Sequence, residues 1–240
     1  MNQLNSEINV NISTGFNRIF RQYDLADAKS HWSMIAKQLE PDLEMTEIHK
    51  NLYVNLIKYT LADISGSYDT ERSICLLGTQ GTGKTLAFKI LNEFNKLFPN
   101  RFILNGKVTN FNYAIYSSLE MVADYNKRGF DGLEKYLIRN VICIDDLGTE
   151  PLESVYFGSK VNVLEKIIEM RYMKNLVTHI STNLPPNLLK ESYGERVFSR
   201  IKGGCNFQFL TGEDFRVKNL DNKQKINEKG NGLEVNSVEN

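Results

Sequence analysis

The sequence predicts an α/β fold in which a five-stranded parallel sheet lies between helices, with a small helical appendage in front of it. Three observations predict it. From Ser73 onward, short runs of strand character alternate with runs of helical periodicity, the rhythm of parallel strands joined through crossover helices. A glycine-rich turn, Gly78 to Thr85, joins the first of these strands directly to a helix. A later run, Val141 to Ile144, is apolar at every position, as burial on both faces of a sheet requires, and it ends in the paired acids Asp145 and Asp146.

Residues 1–42 read as the helical appendage: Trp32, Ile35 and Leu39 fall three and four apart, with Ile19, Phe20 and Tyr23 as an earlier apolar cluster, before Pro41 interrupts. A second helix follows, with Ile48, Leu52, Leu56 and Tyr59 on the face it lays against the core, and Gly66 and Asp69 close it. The expected strands are Ser73 to Leu77, Asn112 to Tyr116, Val141 to Ile144, Val177 to Ser181 and Asn206 to Leu210. Between them, Leu86, Ile90, Phe94 and Leu97 form one helical stripe, Leu119 to Tyr125 follows the capping pattern Ser117 to Glu120, and Leu164, Ile167 and Ile168 mark a third helix. The domain is expected to span residues 43–220. Residues 221–240 turn to Asn, Lys, Glu and Gly with isolated apolar positions, too little to offset the entropy of ordering, and read as a flexible tail.

A hydrophobic content of 41% supports a sizeable core. Lys+Arg and Asp+Glu both number 29, which excludes a general polycation that grips nucleic acid non-specifically but leaves room for a local basic patch. Cys75, Cys143 and Cys205 are far apart, two of them in apolar runs, and suit buried side chains in a reducing compartment better than disulfides or zinc. The first eleven residues are polar and Asn-rich where a secretory signal needs an apolar stretch, and no run approaches the length of a membrane span, so a cytoplasmic protein is expected.

Gly78-Thr79-Gln80-Gly81-Thr82-Gly83-Lys84-Thr85 is a complete phosphate-binding loop in the right setting, between a strand and a helix. Glycines let the backbone curl so that successive N–H groups and the helix N-terminus face phosphates; Lys84 brings a point charge to the β and γ groups of ATP, and Thr85 a hydroxyl to Mg²⁺. From average composition, its four fixed positions recur by chance in roughly one chain of this length in a hundred. Asp145 is placed to hold Mg²⁺ through water, and Asp146 to orient or deprotonate the attacking water. Asn183, after Thr178 to Thr182, can bond a γ-phosphate or the lytic water because an amide donates and accepts, though before Leu-Pro-Pro it is equally a turn residue. His179 in the same run reads as a core or edge-strand residue. Arg196 and Arg200 lie four apart on one helical face, with Val197 and Ile201 on another; that face can reach a neighbouring molecule, or form an ordinary salt-bridged helix through a residue such as Glu195. Lys127 and Arg128 beside Gly129, in a loop after the second core helix, form a candidate DNA contact or an ordinary solvated loop.

Taken together, GTQGTGKT at 78–85, IDDLGTEP at 144–151, STN at 181–183, YGERVFSRI at 193–201 and GEDFR at 212–216 resemble the AAA+ ATPases, specifically the DnaC-type bacterial replicative-helicase loaders and the IstB-type transposition helpers. The likeness covers about three-fifths of the chain, and the order of motifs with the GERV-x-SRI segment is its selective part. It implies Walker A and B roles for Lys84, Thr85, Asp145 and Asp146, sensor 1 for Asn183, the arginine finger for Arg200 with Arg196 in reserve, and a sensor-2-like place for Arg216. Asp146 is one methylene shorter than the glutamate many AAA+ proteins carry, implying slow hydrolysis suited to a switch, and the few residues after Arg216 imply no helical lid. The resemblance further implies self-association through a shared ATP site, single-stranded DNA, and a replicative helicase as partner, chosen by residues 1–42. A transposase is the alternative partner. A P-loop kinase is a third reading, opposed by the two-acid strand end and the GERV-x-SRI segment.

Overall fold

The structure, a computed structural model, describes residues 16–43, 45–104 and 107–212. In chain order its elements are β1 (Phe16–Arg18), α1 (Leu25–Leu39), α2 (Glu47–Thr60), β2 (Ser73–Gly78), α3 (Lys84–Leu97), β3 (Arg101–Leu104), β4 (Lys107–Asn110), β5 (Ala114–Ser117), α4 (Ser118–Arg128), α5 (Glu134–Ile138), β6 (Val141–Leu147), β7 (Ser154–Tyr156), β8 (Ser159–Val161), α6 (Val163–Met173), β9 (Val177–Thr182), α7 (Pro186–Gly204) and β10 (Cys205–Leu210). A short 3₁₀ turn, Gly129–Leu133, links α4 to α5.

The central sheet has the order β10-β2-β9-β6-β5, and every pairing in it is parallel. Successive side chains of a strand face opposite sides, so each strand feeds two cores. Ile74, Leu76, Val141, Cys143 and Val177 join α1, α2 and α3 on one side. Cys75, Leu77, Ile142, Ile144 and Ile180 join α4, α6 and α7 on the other. Burial on both faces is why these strands read as continuous apolar runs rather than alternating ones. All three cysteines are buried and unpaired, as thiols packed into that sheet.

The observed strands begin within two residues of those expected, with β5 shifted to Ala114–Ser117 and β6 running on through both acids to Leu147. Larger differences lie outside the sheet. Ile19, Phe20 and Tyr23 belong to no helix: they follow β1, which pairs antiparallel with β3, and Phe20 is exposed. A helical spacing of three residues was too short to tell a helix from a strand and its exit. Ile48 and Leu97, assigned to buried stripes, face solvent at the ends of their helices, whereas Leu52, Leu56, Tyr59, Ile90 and Phe94 are buried. The hairpin β7–β8 carried no expectation; its two-residue turn, Phe157-Gly158, has both φ angles positive, at 47° and 81°, the geometry that matches strand twist.

The helix α1 shares the core of the sheet's first side. Its Trp32 ring packs 5.3 Å from both Phe94 of α3 and Tyr53 of α2. Arg18 anchors the preceding chain: its Nη2 donates to the carbonyls of Tyr59 and Thr60 at 2.9 and 2.7 Å, where α2 exposes its last acceptors, and its guanidinium lies 3.7 Å over the Phe111 ring. Burial lowers its pKa to about 10. Among the described residues no helix is long and apolar enough to cross a membrane. Residues 221–240, expected as a tail, lie outside the described residues, as does Arg216.

Candidate functional site

The glycine-rich loop leaves the carboxyl end of β2 and closes at the first turn of α3. Gly81 and Gly83 hold φ of 77° and 83°, left-handed values that a side chain would strain, and Gly83 is the N-cap of α3. The loop therefore gathers its N–H groups around the helix N-terminus, an anion-binding arrangement. Lys84 is 5% exposed, and its Nζ donates across the loop to the carbonyls of Gly78 and Thr79 at 2.8 and 2.7 Å. Thr82 Oγ1 donates to the same Thr79 carbonyl at 2.8 Å, bracing the turn.

The next two strands supply the polar side chains beside it. Thr85 Oγ1 lies 2.8 and 3.1 Å from the two carboxylate oxygens of Asp145, and Ser181 Oγ on β9 donates to Asp145 Oδ1 at 2.5 Å. Ser181 Oγ also accepts the Asp146 N–H at 2.9 Å. The β6–β9 register shifts between Ile144 and Leu147, where Asp146 adopts a φ of 55°, and Asp146 lines the cavity beside the phosphate loop. Its carbonyl accepts from Ser118 Oγ and Thr149 Oγ1, both at 2.9 Å, so the turn is braced.

These groups open on a cavity of about 700 Å³ that Lys84, Thr85, Asp146 and Asn183 line together. Its volume lies within the range of small-molecule and cofactor sites. The opposite wall comes from the connection between α1 and α2: Leu39, Glu40, Asp42 and Leu43, then His49 and Tyr53 of α2. His49 is buried, its Nδ1 lies in hydrogen-bond contact with the Thr46 hydroxyl at 2.6 Å, and its Nε2 donates to the Thr82 carbonyl at 3.2 Å, tying α2 to the phosphate loop. Nothing in the sequence flagged this wall, because the break at Pro41 gives no sign of what folds against it. Thr85 and Asp145 form a hydroxyl–carboxylate pair that suits Mg²⁺. No cluster of three or more His, Cys, Asp or Glu occurs among the described residues, so such an ion would draw its other ligands from phosphate and water.

Arg196 and Arg200 lie elsewhere. The helix α7 breaks at Gly194, with φ 79°, and its second half buries Val197 and Ile201, which leaves Arg196 exposed and Arg200 half-buried against α6. Both meet Glu169 of α6, not Glu195, which pairs with Lys190 instead. Arg200 lines a second cavity, of about 520 Å³, together with Ser73, Val177 and Cys205 at the amino ends of their strands. The phosphate loop sits at the carboxyl ends, about 17 Å away along a six-residue strand. The segments around 150 and 193 do meet: the Tyr193 hydroxyl donates a hydrogen bond to buried Glu150, which also accepts the Gly148 N–H at 2.9 Å.

Lys127 and Arg128 sit in the last turn of α4, not in a loop, with Gly129 as the C-cap. Both are exposed. A Cβ at Gly129 would lie 2.5 Å from the Tyr156 ring, so the β7–β8 hairpin rests on this helix end. Beside the two cations it presents Phe157, 92% exposed, with Phe130 also exposed nearby.

No family model matches the chain, and no curated protein matches it. Among solved structures it is similar to that of DnaI, with a TM-score of 0.50 and 18% identity over 72% of this chain and 88% of that one. A putative primosome component from Streptococcus pyogenes serotype M3 gives 0.51 and 16% over 72% and 85%. The DnaC helicase loader gives 0.51 and 16% over 77% and 99%.

The parallel sheet with a phosphate loop after its second-placed strand, and acids on β6 with β9 between the two, is the fold of an AAA+ P-loop NTPase. Within that class the described residues share the fold of the DnaC- and DnaI-type proteins.

Proposed function

We propose that the protein is a cytoplasmic ATP switch of the DnaC type, which binds and hydrolyses ATP, assembles with copies of itself, and loads a replicative helicase onto single-stranded DNA. The observation that carries the reading is the chain Thr85–Asp145–Ser181, which joins the phosphate loop, the acid strand and the strand leading to Asn183 beside the cavity that Thr85, Asp146 and Asn183 line.

In that site Lys84 exchanges two backbone carbonyls for the β- and γ-phosphate oxygens, a stronger charge-assisted contact. Thr85 and Asp145 would hold Mg²⁺, which would supply positive charge to the phosphates. Ser181 keeps the Asp145 carboxylate turned toward Thr85 while holding the Asp146 backbone, so both acids are positioned by one buried hydroxyl. Asp146 takes the proton of the attacking water or orients it, and Asn183 bonds that water or the γ-phosphate from the facing wall. Arg200 cannot share in this within its own chain, given its place at the other end of the strands; it meets the phosphate of a neighbouring copy, which makes assembly a condition of turnover. Arg196 is the reserve for that role, and Arg216, outside the described residues, is the candidate for the sensor-2-like role. The exposed pair Lys127 and Arg128 with Phe157 and Phe130 joins cations to aromatic faces, the combination that holds single strands by phosphate contact and base stacking.

The test is co-elution of the purified protein with its host's replicative helicase, and separately with a transposase encoded nearby, with and without ATP. Co-elution with the helicase that requires ATP and disappears in Lys84→Ala supports the reading. Capture of the transposase alone assigns the protein to the transposition helpers, and unchanged ATP affinity of Lys84→Ala by calorimetry removes the nucleotide site itself.

A further inference from the structure

Glu169 occupies a place that the switch leaves unexplained. It projects from α6 with only 9% exposure, and three cations surround its carboxylate: Arg200 Nη1 at 2.6 Å, Arg196 Nε at 3.3 Å and Lys166 Nζ at 3.7 Å. Burying a carboxylate is costly unless it is paired, so the site is one the fold pays to keep. The two arginines are held differently. Arg196 is 74% exposed and touches the carboxylate from outside, whereas the Arg200 side chain is 14% exposed and its guanidinium also lies 5.6 Å from the centre of the Tyr172 ring.

The guanidinium of Arg200 is gripped along one edge. Nη1 is enclosed and faces Oε1 of Glu169, close enough for an ion pair though off the line of a well-directed hydrogen bond. Among the described residues no hydrogen bond engages its Nε or Nη2. A planar guanidinium offers several donors in a rigid fork, so fixing one nitrogen and the ring plane sets the direction of the others. Tyr172 and Glu169 together bound one side of the head. The remaining edge is left to a second anion.

Resting on the reading of Arg200 as an arginine acting in trans, we infer that Glu169 is a positioning residue for it: the carboxylate orients the guanidinium toward the γ-phosphate bound by a neighbouring copy of the chain. Arg196 shares the same carboxylate, so Glu169 also decides which of the two arginines is presented; the arginine with the buried, doubly restrained head is Arg200.

The experiment is a complementation assay with Glu169→Gln, which keeps the side-chain shape and removes the charge. ATP affinity stays at the wild-type value, because Glu169 lies away from the phosphate loop, and steady-state hydrolysis falls about 10- to 100-fold, by analogy with the loss when a group that orients a metal ligand is removed. Mixing then separates positioning from folding. Lys84→Ala subunits carry an intact Glu169–Arg200 pair and restore hydrolysis at the intact phosphate loops of Glu169→Gln; Arg200→Ala subunits do not. Wild-type hydrolysis by Glu169→Gln alone overturns the inference, and so does a loss that Lys84→Ala subunits fail to rescue, since the residue is then merely structural. Where the Gln variant does not fold, Glu169→Asp, which keeps the charge one methylene short, carries the same comparison with a smaller loss. Failure of Lys84→Ala to rescue Arg200→Ala removes the trans arginine itself, a result distinguishable from the failure of Glu169 alone.

Discussion

His179 makes the acid stability of this fold predictable. The residue sits in β9, the middle strand of the sheet, with 0% exposure. Its Nδ1 accepts the Ile74 N–H at 3.1 Å, which places the ring proton on Nε2, a nitrogen with no hydrogen-bond partner in the structure. Rings of Tyr59, Phe88, Phe111 and Tyr113 surround it at 5.2 to 6.0 Å. Protonation would put a second charge-bearing N–H where an acceptor is needed, in an apolar cage, and burial foremost, then the charges of Arg18 and Arg171, lower its pKa to about 3. Those two arginines stay charged across the acidic range, and burial pushes Tyr59 and Tyr113 further up, so none of these neighbours titrates with it. The folded pKa lies below that of the unfolded chain, about 6.5. Below about pH 6.5 the unfolded state therefore binds a proton that the fold refuses, and stability falls as pH falls, by up to about 1.4 kcal/mol per pH unit until the folded pKa is reached. Between pH 7 and pH 5 the linkage amounts to about 2 kcal/mol. His179→Asn keeps an acceptor for Ile74 and cannot titrate. Urea unfolding at both pH values should show the wild type losing about 2 kcal/mol more than the variant over that interval, with the other titrating groups cancelling in the difference. Equal losses would show that the imidazole is already solvated or charged in the fold, and would refute the reasoning.

Asp146→Asn should bind ATP normally and lose hydrolysis by about 10²- to 10⁴-fold, the range for a removed general base; Asn tolerates the left-handed φ of 55°, so the backbone is not strained and undiminished turnover would take Asp146 out of the reaction. Lys127→Ala with Arg128→Ala should weaken single-stranded DNA binding and lower the slope of log K against log salt by about 1.4, the value for two lost phosphate contacts; an unchanged slope dismisses this surface. Trp32→Ala, emptying a site 1% exposed between α2 and α3, should cost about 3–5 kcal/mol in chemical denaturation, whereas a loss near zero would mean that α1 does not pack as described.

Much of the site was legible because its conformations are local. The glycines at 81 and 83 impose their positive φ within a few residues, and Lys84 and Thr85 follow at fixed offsets on a helix start, so sequence alone determined the loop. Apolar strands buried on both faces likewise announce themselves without reference to what covers them, which made the parallel sheet readable and its strand starts accurate to a residue or two. What only the tertiary structure decided are the contacts between residues distant in the chain. Ser181 joins Asp145 across 36 positions, and it was passed over in favour of Asn183 because a serine in a strand has no periodic signature. The wall from Leu39 to Tyr53 and the bond from His49 to Thr82 depend on how α2 crosses the loop, and nothing in either segment encodes that approach. The partner of Arg200 went unforeseen for the same reason: a charge on a helix face can be met by any acid the fold brings near, and the packing of α6 on α7 chose Glu169 over the neighbouring Glu195. Backbone preferences act over one or two turns of chain, whereas side-chain pairing is settled by the packing of whole elements, and that is where the sequence stops speaking for itself.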